Sequence, residues 1–444
     1  MVNANDHDGD VDWYHLQFPP SCDNFVAGSL PDLDGRHCLY MGCVAMNPCL
    51  SVGTTDSSLP MQGYIGCCRD SVGPGDVVIC SYGLALRDAE ALQSVAWGTL
   101  VLDEAQFIKN ARSKTAQAIR DLHADWKVAL TGTPIENHLA ELWSIFRAIS
   151  PGLFGSWQAF RKKFATPIER NNDDERRQAL AETIRPFVLR RTKEEVLEDL
   201  PSRTETTLHV ELSPEERRRY DEMRLAALGE LDELVGLPDT EDHRFRILAI
   251  LTRLRQLACH VGLVDESWDG PSAKLELLLQ TVHELIDEGH RALIFSQFTS
   301  FLAKIRETLQ EAGVSFQYLD GTTPAKRRQE AVDAFQQGDA DLFLISLKAG
   351  GTGLNLTAAD YVIHMDPWWN PAVEDQATDR AHRIGQTRPV MVYRMVARGT
   401  IEERILDLHR EKRDLVESIM DGTQSAARLS TQELVELIRN SKSA

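Results

Sequence analysis

Two short apolar runs, each followed by turn-forming residues, lie within residues 341–388 and constrain the fold more than any other stretch. The first run, Leu342–Ser346, leads into a glycine-rich turn at residues 350–353, and the second, residues 361–365, ends at Asp-Pro-Trp-Trp. Short apolar runs bounded by glycine and proline are typical of buried strands in a parallel sheet. Glycines at such a turn let the backbone approach a phosphate group closely. This stretch therefore predicts an α/β unit with a phosphate-binding loop.

Three polar side chains follow the second run at helical spacing. Gln376, Arg380 and Arg383 stand at i, i+4 and i+7, which predicts that they share one face of a helix. A solvated basic face is the plain alternative for such a stripe. The two strand ends and the glycine turn that precede it favour a phosphate site, because permanently charged, planar guanidinium groups suit a transferring phosphoryl group.

A pair of adjacent carboxylates ends an upstream apolar strand. Residues 99–102 form this strand, and Asp-Glu-Ala-Gln follows at residues 103–106, the edge at which open parallel sheets bind ligands. Asp103 can hold Mg²⁺ through bound waters, while Glu104 can polarise an attacking water. Many strands end in acidic residues, so the pair is a weak signal when it stands alone.

Further segments in a fixed order strengthen this interpretation. A strand at 127–130 runs into Thr-Gly-Thr-Pro at 131–134, where the proline is well placed to begin a helix. The ordered segments are LDEAQFIKN (102–110), LTGTPIEN (130–137), ELWSIF (141–146), RPFVLRRTKEEV (185–196), ALIFSQF (292–298), YLDGTTPAKRRQ (318–329), DPWWNP (366–371) and DQATDRAHRIGQ (375–386). With these segments the chain resembles the Swi/Snf family of superfamily 2 helicase-like ATPases, which are ATP-driven translocases on double-stranded DNA.

The resemblance implies an α/β fold of two RecA-like lobes with parallel sheets, the first truncated, plus helical insertions. ATP and Mg²⁺ would lie between the lobes, with Asp103 holding the metal through water. The residues that it assigns to catalysis are Asp103, Glu104, Gln376, Arg380 and Arg383. Those that it assigns to nucleotide contact and coupling are Gln106, Thr131, Gly132, Thr133, Gly351 and Gly353, and those to DNA contact are Arg328, Lys348, Asn355, Trp368 and Trp369. For the two tryptophans, core packing is the alternative.

The order of the motifs also predicts the domain organisation. The expected parts are a poorly ordered leader (1–71), a partial first RecA-like lobe (72–140), a helical insertion region (141–285), a second RecA-like lobe (286–400) and C-terminal helices (401–444). Double-stranded DNA, ATP and a transcription- or chromatin-type protein are the partners that the resemblance implies.

A phosphate-binding P-loop is missing from the place where this kind of ATPase needs one. The motif G-x-x-x-x-G-K-[ST] would precede the acidic pair, but the first lysine of the chain is Lys109, which lies beyond Glu104. We therefore expect a shortened form of the motor. Two other interpretations stay open: a catalytically silent DNA- or protein-binding remnant, and the second half of a split ATPase.

The leader has an unusual composition that agrees with this expectation. Residues 1–70 contain nine aspartates but no lysine and no glutamate, and they hold six of the eight cysteines. Glycine, proline and serine recur there without helical or strand periodicity, so we expect no packed core. A zinc site of His37, Cys38, Cys43 and Cys49 is the alternative, although no C-x-x-C pair supports it.

Composition places the chain among ordinary globular proteins. Its 444 residues include 43% hydrophobic and 26% charged residues, without an apolar run long enough for a membrane span or a signal peptide. The expected location is therefore the cytoplasm, near the nucleoid, or the nucleus in a eukaryote. A net charge of −19 excludes a uniformly basic nucleic-acid coat, whereas a local cluster such as residues 326–328 still allows DNA binding.

Overall fold

The chain divides into two compact units, residues 1–180 and residues 181–444. The computed structural model describes residues 37–41, 77–135, 138–171, 173–191, 193–197, 199–234, 241–350, 354–409 and 438. Among these residues, no helix combines the length and the apolar composition that crossing a bilayer requires.

A four-stranded parallel sheet forms the centre of the first unit. Its strands are β1 (His37–Met41), β2 (Val77–Cys80), β3 (Trp97–Leu102) and β4 (Ala124–Ala129). They lie in the order β2-β1-β3-β4, and every neighbouring pair is parallel. All six residues of β3 are buried, as expected for an apolar strand covered on both faces of a parallel sheet.

Short helices connect these strands or follow them in the chain. They are α1 (Tyr82–Arg87), α2 (Ala89–Gln93), α3 (Lys114–Arg120), α4 (Leu139–Ile149), α5 (Trp157–Phe160), α6 (Thr166–Asn171) and α7 (Asp174–Ile184), with a 3₁₀ turn at Ala105–Ile108 and a π turn at Arg161–Ala165. Helix α4 is tied to the 3₁₀ turn, because the Ser144 hydroxyl donates to the Ile108 carbonyl over 2.6 Å. The amide of Ala105 donates to Leu130 O at 2.9 Å, which fixes the same turn beside the end of β4.

Strand β1 corrects one expectation about the leader. It lies inside the sheet and pairs with both β2 and β3, although it belongs to the stretch for which we expected no packed core. A four-residue apolar run among aspartates and glycines carries no periodic signal, and it becomes a strand through pairing on both sides. His37 and Cys38 of the alternative zinc site lie in this strand, whereas Cys43, Cys49 and the rest of 1–71 fall outside the described residues.

The second unit contains a larger sheet of six parallel strands. They are β5 (Arg203–Val210), β6 (Ala292–Ser296), β7 (Phe316–Leu319), β8 (Leu342–Ser346), β9 (Tyr361–His364) and β10 (Val390–Ala397). The order is β5-β10-β9-β6-β8-β7, and all neighbouring pairs are parallel. The predicted α/β class with two parallel sheets is thus confirmed.

The described part of the second unit also contains helices. They are α8 (Lys193–Val196), α9 (Pro214–Leu234), α10 (Glu241–Cys259), α11 (Ala273–Asp287), α12 (Thr299–Glu311), α13 (Ala325–Gln337), α14 (Leu347–Gly350) and α15 (Pro371–Thr378), with 3₁₀ turns at Arg185–Phe187 and Val261–Leu263. Alternate residues of a strand point to opposite faces. Accordingly, Leu344 packs in the cluster of α11 and α12, whereas Phe343 packs in the cluster of α13.

Two elements of the predicted helical insertion belong to the second sheet unit instead. Strand β5 extends the sheet by pairing with β10 over eight residues. Helix α11 buries Leu278 and Val282 against the same core, so the second lobe does not begin at residue 286 as predicted. The sequence of β5, RTETTLHV, is largely polar and therefore gives no apolar signal for a strand before residue 286.

An ion pair without solvent exposure joins α11 to the segment that follows β10. The Lys274 ammonium lies 2.7 Å from the Glu402 carboxylate, and both side chains have 0% exposure. Lys274 also donates to Met365 O at 2.8 Å, and Glu402 accepts from the Ala397 amide at 2.8 Å. Residues 401–409 are helical, and Ile401 and Ile405 pack with α10 in one apolar cluster.

Candidate functional site

The acidic pair of the first unit lies at the carboxyl end of β3, as predicted. The Glu104 amide donates to its neighbour Asp103 Oδ1 at 2.9 Å, and the Tyr82 hydroxyl donates to Asp103 O at 2.8 Å. Glu104 adopts φ 50°, which makes it the one non-glycine residue with positive φ among the described residues. Side chains other than glycine rarely occupy this left-handed region, and such conformations concentrate at functional sites.

A chain of hydrogen bonds runs from Glu104 to the turn after β4. Gln106 Nε2 donates to Glu104 Oε2 at 2.7 Å, and the Thr131 hydroxyl donates to Gln106 Oε1 at 2.8 Å. The amide of Thr133 then donates to Thr131 Oγ1 at 3.0 Å. The structure therefore brings together four residues that the sequence predicted separately, while Gly132 is the exposed residue of the same turn. A movement of this turn would shift the Glu104 carboxylate.

The chemistry of this group fits Mg²⁺. Asp103 and Glu104 are half-buried and present carboxylate oxygens, the hard donors that magnesium takes alongside several waters. Across the described ranges, no three His, Cys, Asp or Glu side chains cluster closely enough to enclose a metal by themselves. Contact with the metal through water, as expected for Asp103, needs no such enclosure.

The second unit places its glutamine and arginines differently from the prediction. Helix α15 ends at Thr378, so only Gln376 is helical, and Arg380 and Arg383 lie in the turns that follow. The amides of Ala381 and His382 both donate to Thr378 O, which tightens the chain into a turn. The predicted common helix face is therefore wrong. The solvated alternative is wrong as well, because Arg380 and Arg383 are only 9% and 8% exposed.

The turn that carries the arginines is held against the loop before β9. Arg383 Nη1 donates to Leu354 O at 3.1 Å, and the Leu356 amide donates to Arg380 O at 2.9 Å. Gln386 Nε2 donates to Ala359 O at 2.8 Å and to Ala381 O at 3.1 Å. These bonds hold the Arg383 guanidinium and the backbone of Arg380 against this loop.

The predicted glycine turn is described only in part. Gly350 ends the short helix α14 rather than opening a turn, and Gly351 and Gly353 lie outside the described residues. Lys348 of α14 is exposed, whereas Asn355 is half-buried. Of the two predicted DNA-contacting residues in this region, Lys348 is thus the more accessible one, and its side chain is cationic.

Trp368 and Trp369 both lie against a buried arginine, Arg255, that the sequence did not predict as part of the site. The Arg255 guanidinium of α10 lies 5.4 Å from the Trp368 ring and 5.2 Å from the Trp369 ring. Arg255 Nη2 also donates to Pro367 O at 2.6 Å, and burial lowers the pKa of this guanidinium. Both tryptophans are half-buried and pack against apolar clusters. No local signal marks Arg255, because its partner Pro367 lies 112 residues away in sequence.

Comparisons with known proteins agree with these motifs. Residues 68–263 match the SNF2-related domain, and residues 273–385 match the helicase conserved C-terminal domain. The Bacillus subtilis protein named "Putative ATP-dependent helicase/translocase YwqA" is 43% identical over 377 residues, which are 83% of this chain and 40% of that protein. A Mus musculus SWI/SNF-related, matrix-associated, actin-dependent regulator of chromatin (subfamily A member 1) is 34% identical over 393 residues, 84% of this chain and 37% of that protein.

A solved structure also resembles the chain. The Sulfolobus solfataricus SWI2/SNF2 ATPase core in complex with dsDNA is 32% identical, and the match covers 92% of this chain and 87% of that one with a TM-score of 0.45. The chain spans less than half the length of the two curated relatives. From the ordered motifs and the two matching domain families, the chain belongs to the Swi/Snf family of helicase-like, ATP-dependent enzymes.

Proposed function

We propose that this chain carries most of the motor of an ATP-dependent translocase on double-stranded DNA. The observation that supports this most strongly is the hydrogen-bonded series Glu104, Gln106, Thr131 and Thr133. It connects a carboxylate suited to activating water with a turn that can respond to movement. A motor needs such a connection, because hydrolysis must be coupled to a change in conformation.

Each unit would contribute a different part of the ATP chemistry. Bound Mg²⁺ would neutralise charge on the phosphates, and Asp103 would hold it through water. Glu104 would orient and polarise the attacking water. In the second unit, Arg380 and Arg383 would stabilise the charge that develops on the γ-phosphoryl group, and Gln376 would position the phosphate or the water. The low exposure of both arginines supports this role, because a guanidinium acts more strongly where water is excluded.

Duplex DNA is the polymer that we propose for the motor. The family resemblance of the ordered motifs implies double-stranded DNA, and the exposed Lys348 together with the half-buried Arg328 would contact phosphates. Cationic contacts of this kind give affinity without sequence preference. A transcription- or chromatin-type protein remains the partner class that we propose beside DNA.

One observation favours a second candidate function. No lysine precedes the acidic pair, so the chain cannot supply the P-loop lysine that would bind the β- and γ-phosphates. The alternatives are therefore a DNA- or protein-binding remnant and one half of a split ATPase. A reading frame upstream of the start codon that encodes G-x-G-K-T would favour a shortened gene over a genuine loss.

DNA binding can be tested by the fluorescence anisotropy of a labelled duplex. We expect the chain to bind unrelated duplexes equally well, with affinity that falls steeply as salt rises, because counterion release dominates such contacts. Lys348→Ala and Arg328→Ala should each weaken binding several-fold on all sequences and reduce the slope against log salt by about 1. Arg380→Ala should leave DNA affinity largely intact, because its proposed task concerns the nucleotide.

Arg218→Ala is the matched control for these DNA-contact variants. Its side chain is 67% exposed on α9, so the variant removes one accessible cation without touching the proposed DNA face. Equal losses in the control and in Lys348→Ala would indicate a general charge effect. If Arg380→Ala abolished binding while Lys348→Ala did nothing, the DNA and nucleotide faces of the second unit would be assigned the wrong way round.

A further inference from the structure

Residues at the start of the second unit contact the turn that carries the two arginines. Lys193 Nζ lies 2.8 Å from Asp379 Oδ1 and donates to His382 O, also at 2.8 Å. Arg203 lies 2.7 Å from Asp375 Oδ1 and 3.7 Å from Asp379 Oδ1. We propose that Lys193 and Arg203 are positioning residues that set the place of Gln376, Arg380 and Arg383.

The spacing of the contacted residues is the main argument. Asp375, Asp379 and His382 each directly precede one of the three proposed site residues, so they repeat the same spacing of four and three. Lys193 and Arg203 therefore contact the residue before each proposed site residue, through the carboxylates of Asp375 and Asp379 and through the carbonyl of His382. A single chance ion pair on a polar surface would not produce this repeat.

A neutral histidine completes the contact. His382 Nε2 lies 2.7 Å from Pro201 O, and burial lowers the pKa of the His382 imidazole. Kept neutral, the ring can donate its Nε2 proton to this carbonyl. Lys193, Pro201 and Arg203 thus hold the turn on one side, while the bonds of Leu354 and Leu356 hold it on the other.

The partial exposure of this contact indicates that it positions the turn and contributes little to global stability. The side chains of Lys193 and Asp379 keep 28% and 36% exposure, and burial lowers the pKa of the Lys193 ammonium although Asp379 opposes the change. Partly exposed ion pairs contribute little to global stability. Small displacements of a group that stabilises a transition state are nevertheless costly. This role rests on the proposed nucleotide function of Arg380 and Arg383.

Hydrogen exchange in the full chain tests the proposal. The amides of residues 379–383 and Gln386 are hydrogen-bonded within the turn, so their exchange reports its opening. In Lys193→Met we expect exchange over residues 379–386 to accelerate about tenfold, with β8 and β9 unchanged and the melting temperature within about 2 °C. Lys193→Arg should restore the slow exchange. Raising NaCl to 1 M should accelerate exchange in the natural chain, because partly exposed charges are screened.

Lys326→Met is the matched control, since Lys326 is 91% exposed and lies 4.0 Å from Glu330. Unchanged exchange over 379–386 in both Lys193→Met and Arg203→Met would overturn the proposal, as would acceleration spread equally over the whole sheet. The exchange result does not depend on ATP hydrolysis. ATP turnover is therefore measured in a chimera whose residues 1–71 are replaced by the corresponding segment of the Bacillus subtilis relative. A loosened turn combined with an Arg380→Ala variant that leaves the turnover of an active chimera unchanged would retain the positioning contact and reject the nucleotide function.

Discussion

Purified chain supplied with ATP, Mg²⁺ and duplex DNA is expected to hydrolyse ATP far more slowly than ~1 per second, the low end for ordinary enzymes. The carboxylate and the arginines are present, but the lysine that would hold the β- and γ-phosphates is not. Removing a single preorganised donor from a transition state costs about 3 kcal/mol, or roughly 10²- to 10³-fold in rate. Here a whole phosphate-binding loop is lacking.

A chimera tests whether restoring the missing segment restores ATP hydrolysis. The corresponding leading segment of the Bacillus subtilis relative would replace residues 1–71, while the rest of the chain stays as it is. If the missing loop alone limits turnover, the chimera should gain DNA-stimulated hydrolysis, and Glu104→Gln should remove it by about 10²-fold or more. Glu90→Gln is the matched control, because Glu90 is an exposed carboxylate on α2.

The unmodified chain could also contradict the expectation directly. Turnover near ~1 per second that is stimulated by DNA and abolished by Glu104→Gln would mean that other residues bind the phosphates. An inactive chimera that still binds DNA would instead favour the remnant interpretation.

Strands β8 and β9 could be predicted closely from sequence because each is a compact apolar run with a clear end. The predicted runs at 342–346 and 361–365 differ from the observed β8 and β9 by no more than one residue at either end. The residues of β8 and β9 are largely buried, as expected for strands covered on both faces of a parallel sheet, so hydrophobicity alone marks them. A parallel strand that is buried on both faces can thus be recognised from a single sequence.

Strand β5 and the end of α15 could not be predicted from hydrophobicity. Strand β5 is an edge strand in which only Val210 is buried, and its sequence carries no apolar run. Residues 379–384 contain no glycine or proline, and local propensity therefore continues the helix past Thr378. Tertiary contacts override that propensity, since Lys193 and the Leu356 amide bind the carbonyls of His382 and Arg380.

The residues of the candidate site also differ in how far the sequence predicts them. Asp103, Glu104 and the turn after β4 were predictable, because carboxyl ends of parallel strands collect ligand-binding residues. Arg255 and Lys193 were not, because each contacts the site region from more than a hundred residues away in sequence. Such pairings are set by topology, and a single sequence does not display them.

Lys274→Met is expected to destabilise the second unit by about 3–5 kcal/mol, the usual effect of removing one partner from a buried ion pair. The substitution leaves the Glu402 carboxylate at 0% exposure with the Ala397 amide but without its cation. It also removes the donor to Met365 O, which directly precedes the tryptophan-bearing loop. Urea unfolding followed by tryptophan fluorescence measures the loss.

The loss of stability in Lys274→Met should depend on pH in a defined direction. Burial raises the pKa of Glu402, while Lys274 opposes the rise, so removing Lys274 should raise that pKa further. A carboxyl group with a raised pKa in the folded state stabilises the fold below its unfolded pKa, and this contribution is lost as pH rises through the folded pKa. Lys274→Met should therefore be less destabilised at pH 5 than at pH 8.

Removing both charges separates the cost of an unpaired carboxylate from the loss of packing. Lys274→Met combined with Glu402→Gln should be more stable at pH 8 than Lys274→Met alone, because no charge then remains buried without a partner. Lys326→Met, an exposed lysine in the same unit, should leave unfolding unchanged. A double variant as unstable as the sum of its single variants at pH 8 would show that the two side chains act through packing and hydrogen bonds rather than as a pair of charges.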